Sequence, residues 1–291
     1  MQTIFLSGAT GFLGSHILNT LVQEKHNIII ALREKSDTWR INDIIGNTKV
    51  YWLNKTSLNA IFQENQIDGV IHTACSYGRA NTTILDTVNA NVLFGLEILE
   101  AAKRGKSSFF INTDTLLPAN INNYSLSKKQ FVAWLRTYEN QIKIVNVKIE
   151  HMYGVKDDST KFVSWFLNEA IYTDKTINLT SGVQKRDFIY IDDVVNAYLL
   201  IIKNLAVLKQ WSDFDIGTGD FIAVKDFITN ISNTLLSIKN IDITSRLNFG
   251  AIPYRDNEIM SPILDNSSLI KLGWTPKIDL KRGIEKIINN I

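Results

Sequence analysis

Cysteine is almost missing from this 291-residue chain: Cys75 stands alone. A single thiol excludes an internal disulfide and points to a reducing compartment, because disulfide frameworks need paired cysteines. The four histidines, His16, His26, His72 and His151, are scattered, and none stands at ligand spacing with Cys, Asp or Glu. No metal site is predicted. An excess of either charge is missing too. Lys and Arg number 31 against 29 Asp and Glu, a net charge of +2, which gives no reason to expect nucleic acid or an anionic membrane as partner. No apolar run approaches the roughly 18 residues of a membrane-crossing helix. The first residues enter a strand pattern without a basic region or a small-residue cleavage site, so no leader is predicted and the cytoplasm is the expected compartment. Prolines number only 4, and hydrophobic residues make up 45%. Repeats and low-complexity tracts are lacking, which leaves one large globular domain or two small ones.

What is present begins at the first strand. Thr3 to Leu6 is a short apolar run, Gly8, Gly11 and Gly14 follow at three-residue spacing, and Ser15 to Gln23 carries Ile17, Leu18, Leu21 and Val22 at helical rhythm. Strand, glycine turn and helix in that order form a pyrophosphate cradle. Gly8 permits the tight turn, Gly11 lets the backbone approach the phosphates, and Gly14 lets helix and sheet pack closely. The helix N-terminus adds N–H groups and a positive dipole end. The next strand, Asn27 to Leu32, is continuously apolar, as in a parallel strand buried on both faces, and ends at Arg33. That position, about 20 residues after the glycine turn, holds an acid on the ribose 2′-OH in NAD-binding folds, whereas an arginine accommodates a 2′-phosphate. Arg33 therefore favours NADPH.

Further strands read at Val50–Leu53, Gly69–Ala74, Ser107–Asn112 and Ile142–Ile149, with helices at Leu58–Glu64 and Ile84–Lys103. This alternation predicts an α/β fold with a Rossmann-type doubly wound parallel sheet over residues 1–150. His72, inside an apolar strand, reads as a core histidine. From residue 151 the pattern loosens. Helices are expected at 162–170, at 194–205 with Asp192 or Asp193 as N-cap, and near 224–238, 267–272 and 281–288, with one strand at 214–216. The nucleotide domain is expected to be rejoined by about residues 183–217. Residues 151–182 and 218–291 would form a smaller C-terminal substrate lobe.

The chemistry gathers at mid-chain. The fifth strand runs into Asn112-Thr113-Asp114-Thr115, and Tyr124-Ser125-Leu126-Ser127-Lys128 follows. Residues i and i+4 share one helix face, so Lys128 can stand beside the Tyr124 ring. A tyrosine, with a free pKa near ~10, becomes a usable acid–base group beside an ammonium that stabilises its phenolate. The same ammonium can bond a nicotinamide ribose. Thr113 emerges at the carboxyl end of a strand, where open α/β sheets place ligands, and its hydroxyl can hold a carbonyl oxygen.

These motifs, with Tyr153-Gly154, the run Arg186 to Asp193, Arg255-x-x-Glu258 and Leu272-Gly273-Trp274-x-Pro276, resemble the extended short-chain dehydrogenase/reductase family across nearly the whole chain. Members of this kind act on nucleotide-linked sugars. The resemblance implies a catalytic set of Thr113, Tyr124 and Lys128. It implies cofactor contacts from Gly8, Thr10, Gly11, Phe12, Leu13 and Gly14 in the turn, and from Arg33, Asn54, Thr73, Ala74, Asn91, Tyr124, Lys128 and His151 beyond it. The substrate side would be Tyr77, Arg79, Thr113, Lys161 and Phe162, with Arg186 and Arg255 on the diphosphate. A structural ion pair is the other reading of those arginines.

Local phrases narrow the resemblance. Ser76–Arg79, Asn112–Asp114, Lys148–Gly154 and Phe249–Met260 look like the branch that reduces the 4-keto group of CDP-4-keto-3,6-dideoxyglucose with NADPH. Its products are CDP-abequose or CDP-paratose, sugars of the O-antigen of lipopolysaccharide. The interval from Thr113 to Tyr124 is shorter than in most members, which leaves Thr113 and Thr115 as alternatives for the carbonyl. Asn54-Lys55 stands where members often carry an acid near the adenine. A homodimer through the helices following the fourth and fifth strands is expected. Rival readings are an NAD-dependent 4-epimerase, and an NADP-sensing regulatory protein without turnover.

Overall fold

The apolar runs of the first half lie side by side in one sheet. In the computed structural model, which describes residues 1–79 and 82–291, these strands are β1 (Thr3–Ser7), β2 (Asn27–Leu32), β3 (Lys49–Trp52), β4 (Gly69–His72), β5 (Phe109–Thr115) and β6 (Lys143–Ile149). Their order is β3-β2-β1-β4-β5-β6, with a later strand, β10 (Trp211–Ile216), beside β6. Every pairing from β3 to β6 is parallel. Strand order reverses between β1 and β4, and doubly wound sheets bind their ligands outside the strand ends at such a point. Ile4, Phe5 and Leu6 are wholly buried, because parallel sheets are covered on both faces. Each such side chain contributes about 2 kcal/mol by leaving water.

The flanking helices are α1 (Phe12–Gln23), α2 (Leu58–Glu64), α3 (Ile84–Val88), α4 (Phe94–Arg104) and α5 (Asn123–Arg136). Ser57 caps α2 by accepting from the Ala60 N–H at 3.2 Å. Asn122 and Ser125 form a reciprocal box at the start of α5, which satisfies N–H groups a helix end leaves open. The stretch read as one helix from Ile84 is interrupted by a π-helical turn at Asn89–Leu93. One core cluster joins Phe110 of β5, Ile98 and Leu99 of α4, and Phe131 and Leu135 of α5. No helix among the described residues is long and apolar enough to cross a membrane.

The chain divides into two compact units, residues 1–149 with 197–215, and residues 150–196 with 216–291. The segment returning to the first unit is thus shorter than the 183–217 expected. The reason is pairing. β9 (Lys185–Tyr190) lies between β7 (His151–Tyr153) and β11 (Phe221–Ala223) in a three-stranded sheet of the second unit. That unit also holds α6 (Phe162–Tyr172), the pair β8 (Ile177–Leu179) and β12 (Leu247–Phe249), α8 (Val224–Lys239), α9 (Ser267–Lys271) and α10 (Leu280–Ile288). Helix α7 (Ile191–Lys203) carries the chain from one unit to the other. It starts before the expected caps, so Asp192 and Asp193 sit in its first turn. The Asp193 carboxylate instead accepts from the N–H groups of Lys277 and Ile278 at 3.0 and 2.9 Å.

Candidate active site

The glycine turn has room for backbone only. Gly8 is left-handed, at φ 74°, and a Cβ there would lie 2.5 Å from the Ala74 nitrogen. A Cβ on Gly14 would lie 2.1 Å from the Gly8 carbonyl oxygen. Gly11 differs: its Cβ would meet only the Gly8 oxygen, at 3.2 Å, so its outer side is open to a ligand. Gly11 supplies no side-chain cap to α1, and no acid occupies the first turn. The N–H groups of Phe12, Leu13 and Gly14 therefore precede the first intrahelical bond, from Ser15 to Gly11, at the positive end of the helix dipole. This is a fit for the diphosphate of a dinucleotide. Thr73 ties β4 to β1 through its hydroxyl, which donates to the Ser7 carbonyl at 2.8 Å.

Arg33 is exposed at the end of β2 and Asn54 is exposed after β3. The sequence reading passed over Arg40. Its guanidinium lies 4.4 Å from the Trp39 ring centre and donates to the Thr10 carbonyl at 3.3 Å, which brings an arginine to the glycine turn. The visible signal was the basic cluster Arg33, Lys35 and Arg40 within one loop.

Tyr124 and Lys128 sit on the first turns of α5. Lys128 is 1% exposed, and burial drives its pKa below the ordinary lysine value, against the pull of Cys75 and Asp114. Burial likewise pushes Tyr124 well above the ordinary phenol, with Cys75 and Asp114 adding to the effect and a hydrogen bond to Thr115 opposing it. Alternation places Thr113 and Thr115 on the same side of β5, yet their hydroxyls have different partners. Thr113 shares a hydrogen bond with the buried hydroxyl of Tyr198 at 2.6 Å, and Thr115 accepts from the Leu117 N–H at 3.2 Å. Asp114, on the opposite side, is nearly buried. It accepts from Lys129 at 2.7 Å and from Asn146 at 3.3 Å.

Asn91 was expected at the cofactor. The structure buries it in the π turn with its amide engaged by Ser76 and Ser127. His72 is fully buried, bonded to Ser7 at 2.7 Å and ringed by Phe94, Phe110 and Phe131. Burial, then the Lys128 charge, lowers its pKa to about 3, so it is neutral.

The second unit holds the remaining candidates. His151 is exposed, and its Nδ1 pairs with the Glu150 carboxylate at 2.9 Å. Lys161 precedes α6, and Phe162 stacks on Phe166 at 6.3 Å. Arg186 is folded onto Glu258 and donates to the Ile259 carbonyl at 2.5 Å, while Arg255 is exposed. The ion pair, rather than an open fork, is the state of Arg186 here. Asp187 accepts from Thr218 and Gly219 and so shapes the turn after β10.

The chain is similar to known proteins over its whole length. CDP-abequose synthase of Salmonella typhimurium (strain LT2) is 32% identical over 307 residues, covering 100% of this chain and 98% of the relative. The CDP-abequose synthase of Salmonella muenchen is also 32% identical, over 99% and 97% of the two chains. Among solved structures, a UDP-glucose 4-epimerase from Thermotoga maritima with UDP-glucose superposes at a TM-score of 0.82, covering 99% of this chain and 97% of that one, at 21% identity; it shows the shared fold. Residues 4–217 match the NAD dependent epimerase/dehydratase family, and with this glycine cradle, this Tyr124–Lys128 pair and full-length relatives at 32% identity, the chain belongs to that family.

Proposed function

We propose that the chain is a 4-ketoreductase of a nucleotide-linked deoxyhexose. Its proposed substrate is CDP-4-keto-3,6-dideoxyglucose, reduced with NADPH to CDP-abequose or CDP-paratose. The observation that carries this reading is the full-length likeness to the two Salmonella CDP-abequose synthases, with Tyr124, whose burial favours the neutral phenol, as the matching proton donor. Reduction of a ketone consumes a proton at the oxygen, so the catalyst must begin as an acid. Oxidation at C4, with which an epimerase cycle opens, must begin from the phenolate. The full-length likeness to the Salmonella synthases supports the CDP-linked sugar.

Bound NADPH supplies the hydride to C4. Tyr124 then gives its hydroxyl proton to the C4 oxygen, and the phenolate left behind is stabilised by the Lys128 ammonium. Thr113 or Thr115, on the same side of β5, is assigned the carbonyl oxygen, with the Thr113 hydroxyl shared with Tyr198 at 2.6 Å. Arg33 and Arg40 are assigned the 2′-phosphate, as guanidinium forks suit phosphate oxygens. Lys161, Phe162, Arg186 and Arg255 are assigned the sugar nucleotide, Arg186 after exchanging Glu258 for a phosphate. Elimination of water, the reaction of the 4,6-dehydratase branch of the family, is disfavoured: Asp114 is bound to Lys129 and Asn146, and Thr115 stands where that branch places a glutamate. A homodimer is proposed through α3 to α5, where Leu85, Leu93, Leu126 and Trp134 are exposed.

The test mixes the protein with NADPH or NADH and the CDP-4-keto sugar and follows nicotinamide absorbance. Wild type consumes NADPH faster than NADH, and Tyr124→Phe loses about 10²–10⁴-fold in kcat, the span of general acid catalysis. Equal rates for wild type and Tyr124→Phe, or NAD retained through purification with no net consumption, would overturn the reading. NMR of the product assigns the C4 configuration.

A further inference from the structure

The segment after β4 is fastened by a purpose-built contact. Asn91, wholly buried in the π turn, accepts from the Ser76 N–H at 2.6 Å and donates to the Ser76 carbonyl at 2.8 Å. The same amide donates to the Ser127 hydroxyl at 2.9 Å, and Ser127 donates to the Tyr124 carbonyl at 2.9 Å. One side chain thus ties residues 75–79 to the turn of α5 that carries Tyr124. π turns of this kind recur at functional sites. Gly78, left-handed at φ 63°, then folds the chain back. The Tyr77 ring comes to rest 4.9 Å from the Tyr124 ring at a 31° tilt, and the Arg79 guanidinium lies 5.5 Å from the centre of Tyr77.

We infer that Tyr77 is a positioning residue for Tyr124: backed by Arg79, its ring covers one face of the phenol, fixes the direction of the Tyr124 hydroxyl and keeps water from it. Ring pairs at this separation gain about 0.5–1.5 kcal/mol beyond burial, and a guanidinium over the outer ring adds a cation–π attraction. Tyr124 lies in the first turn of α5, where a phenol free to swing would lose its aim. Misplacement by about 1 Å costs up to ~10²-fold in rate. The contact uses the ring of Tyr77 and not its hydroxyl, so phenylalanine should serve in its place.

The inference rests on Tyr124 as the proton donor, yet its first test needs no substrate. Tyr77→Leu, Tyr77→Gln and Tyr77→Phe are made alone and with Tyr124→Phe. The phenolate absorbance of Tyr124 is then read as the difference between each pair during a pH titration. Removing the covering ring lets Tyr124 ionise at lower pH, by about one unit, a tenfold change in its ionisation constant; Tyr77→Phe leaves the titration where it was. On turnover, Tyr77→Leu and Tyr77→Gln lower kcat about 10–100-fold with little change in KM, and Tyr77→Phe restores it. A Tyr124 titration that stays put in both truncations, or a KM that rises at constant kcat, overturns the inference and makes Tyr77 a plain substrate contact. Tyr77 is 37% exposed; thermal midpoints check that each truncation keeps the fold, and the titration stands on either truncation. Failure of wild type to turn over any 4-keto sugar nucleotide would sink the reductase reading and leave the titration to judge the stack.

Discussion

Lys128 and His72 are two bases buried at the same end of the sheet, and the charge of one affects the other. Burial, followed by the Lys128 charge, holds the His72 pKa at about 3 against 6.5 in the unfolded chain. Between those values the unfolded chain binds one more proton than the folded one. Stability from this group is fully present above pH 6.5 and is lost as pH falls toward 3, by about 1.4 kcal/mol per pH unit. Replacing His72 by Asn should remove that share of the slope. Urea unfolding of wild type and variant at several pH values below 6.5 measures it, and parallel slopes would contradict the neutral buried histidine. The i, i+4 spacing of Tyr124 and Lys128 was legible because a helix fixes which side chains meet. The choice between Thr113 and Thr115 was not. The group that sets the two apart, Tyr198 on the Thr113 hydroxyl, is distant in sequence and carries no motif.

At the scale of elements, the glycine turn shows how little freedom the cradle leaves. An alanine Cβ at Gly14 would be 2.1 Å from the Gly8 oxygen and 2.7 Å from the Gly8 carbonyl carbon. These are backbone atoms with no flexible end to yield. Gly14→Ala should therefore displace the turn, destabilising the protein by about 1–3 kcal/mol, as overpacking does, and weakening dinucleotide binding more than tenfold. Gly11→Ala meets a single oxygen at 3.2 Å and should cost less stability while still obstructing the phosphates. Thermal midpoints and fluorescence titration with NADPH separate the two; equal midpoints for Gly14→Ala and wild type would show that the turn can yield. Elements with long apolar periods, β1, β2, α2 and α8, were legible from pattern alone. β7, β8, β11 and β12 span three residues each, too short for periodicity to register. The π turn escaped because its apolar spacing continues that of the helices on either side. The motif from Arg186 to Asp193 stood out in sequence, and two of its three acids turn out to shape turns: Asp187 holds Thr218 and Gly219, and Asp193 holds Lys277 and Ile278.

At the scale of the whole molecule, the proposed dimer follows from what the first unit leaves uncovered. Leu126 and Trp134 stand two turns apart on α5, 43% and 51% exposed, and Leu85 and Leu93 stand eight residues apart on the adjoining helical run, 73% and 48% exposed. Residues at i and i+8 lie about 80° apart around a helix, within the width of one apolar stripe, so each helix presents an apolar edge. Exposed apolar side chains along neighbouring helices suit a docking surface, and in the proposed dimer a second copy presents the same edges by symmetry. Trp134→Glu places a charge there without entering the core cluster formed by Phe131 and Leu135. Wild type should sediment at twice the chain mass, and Trp134→Glu at the chain mass with an unchanged far-ultraviolet spectrum. The Asn91 clamp and the Tyr77–Tyr124 stack lie within one chain, so the monomeric variant should keep the Tyr124 titration of the wild type. A wild type that sediments as a monomer throughout the assay range would refute the dimer and leave this apolar face without an occupant.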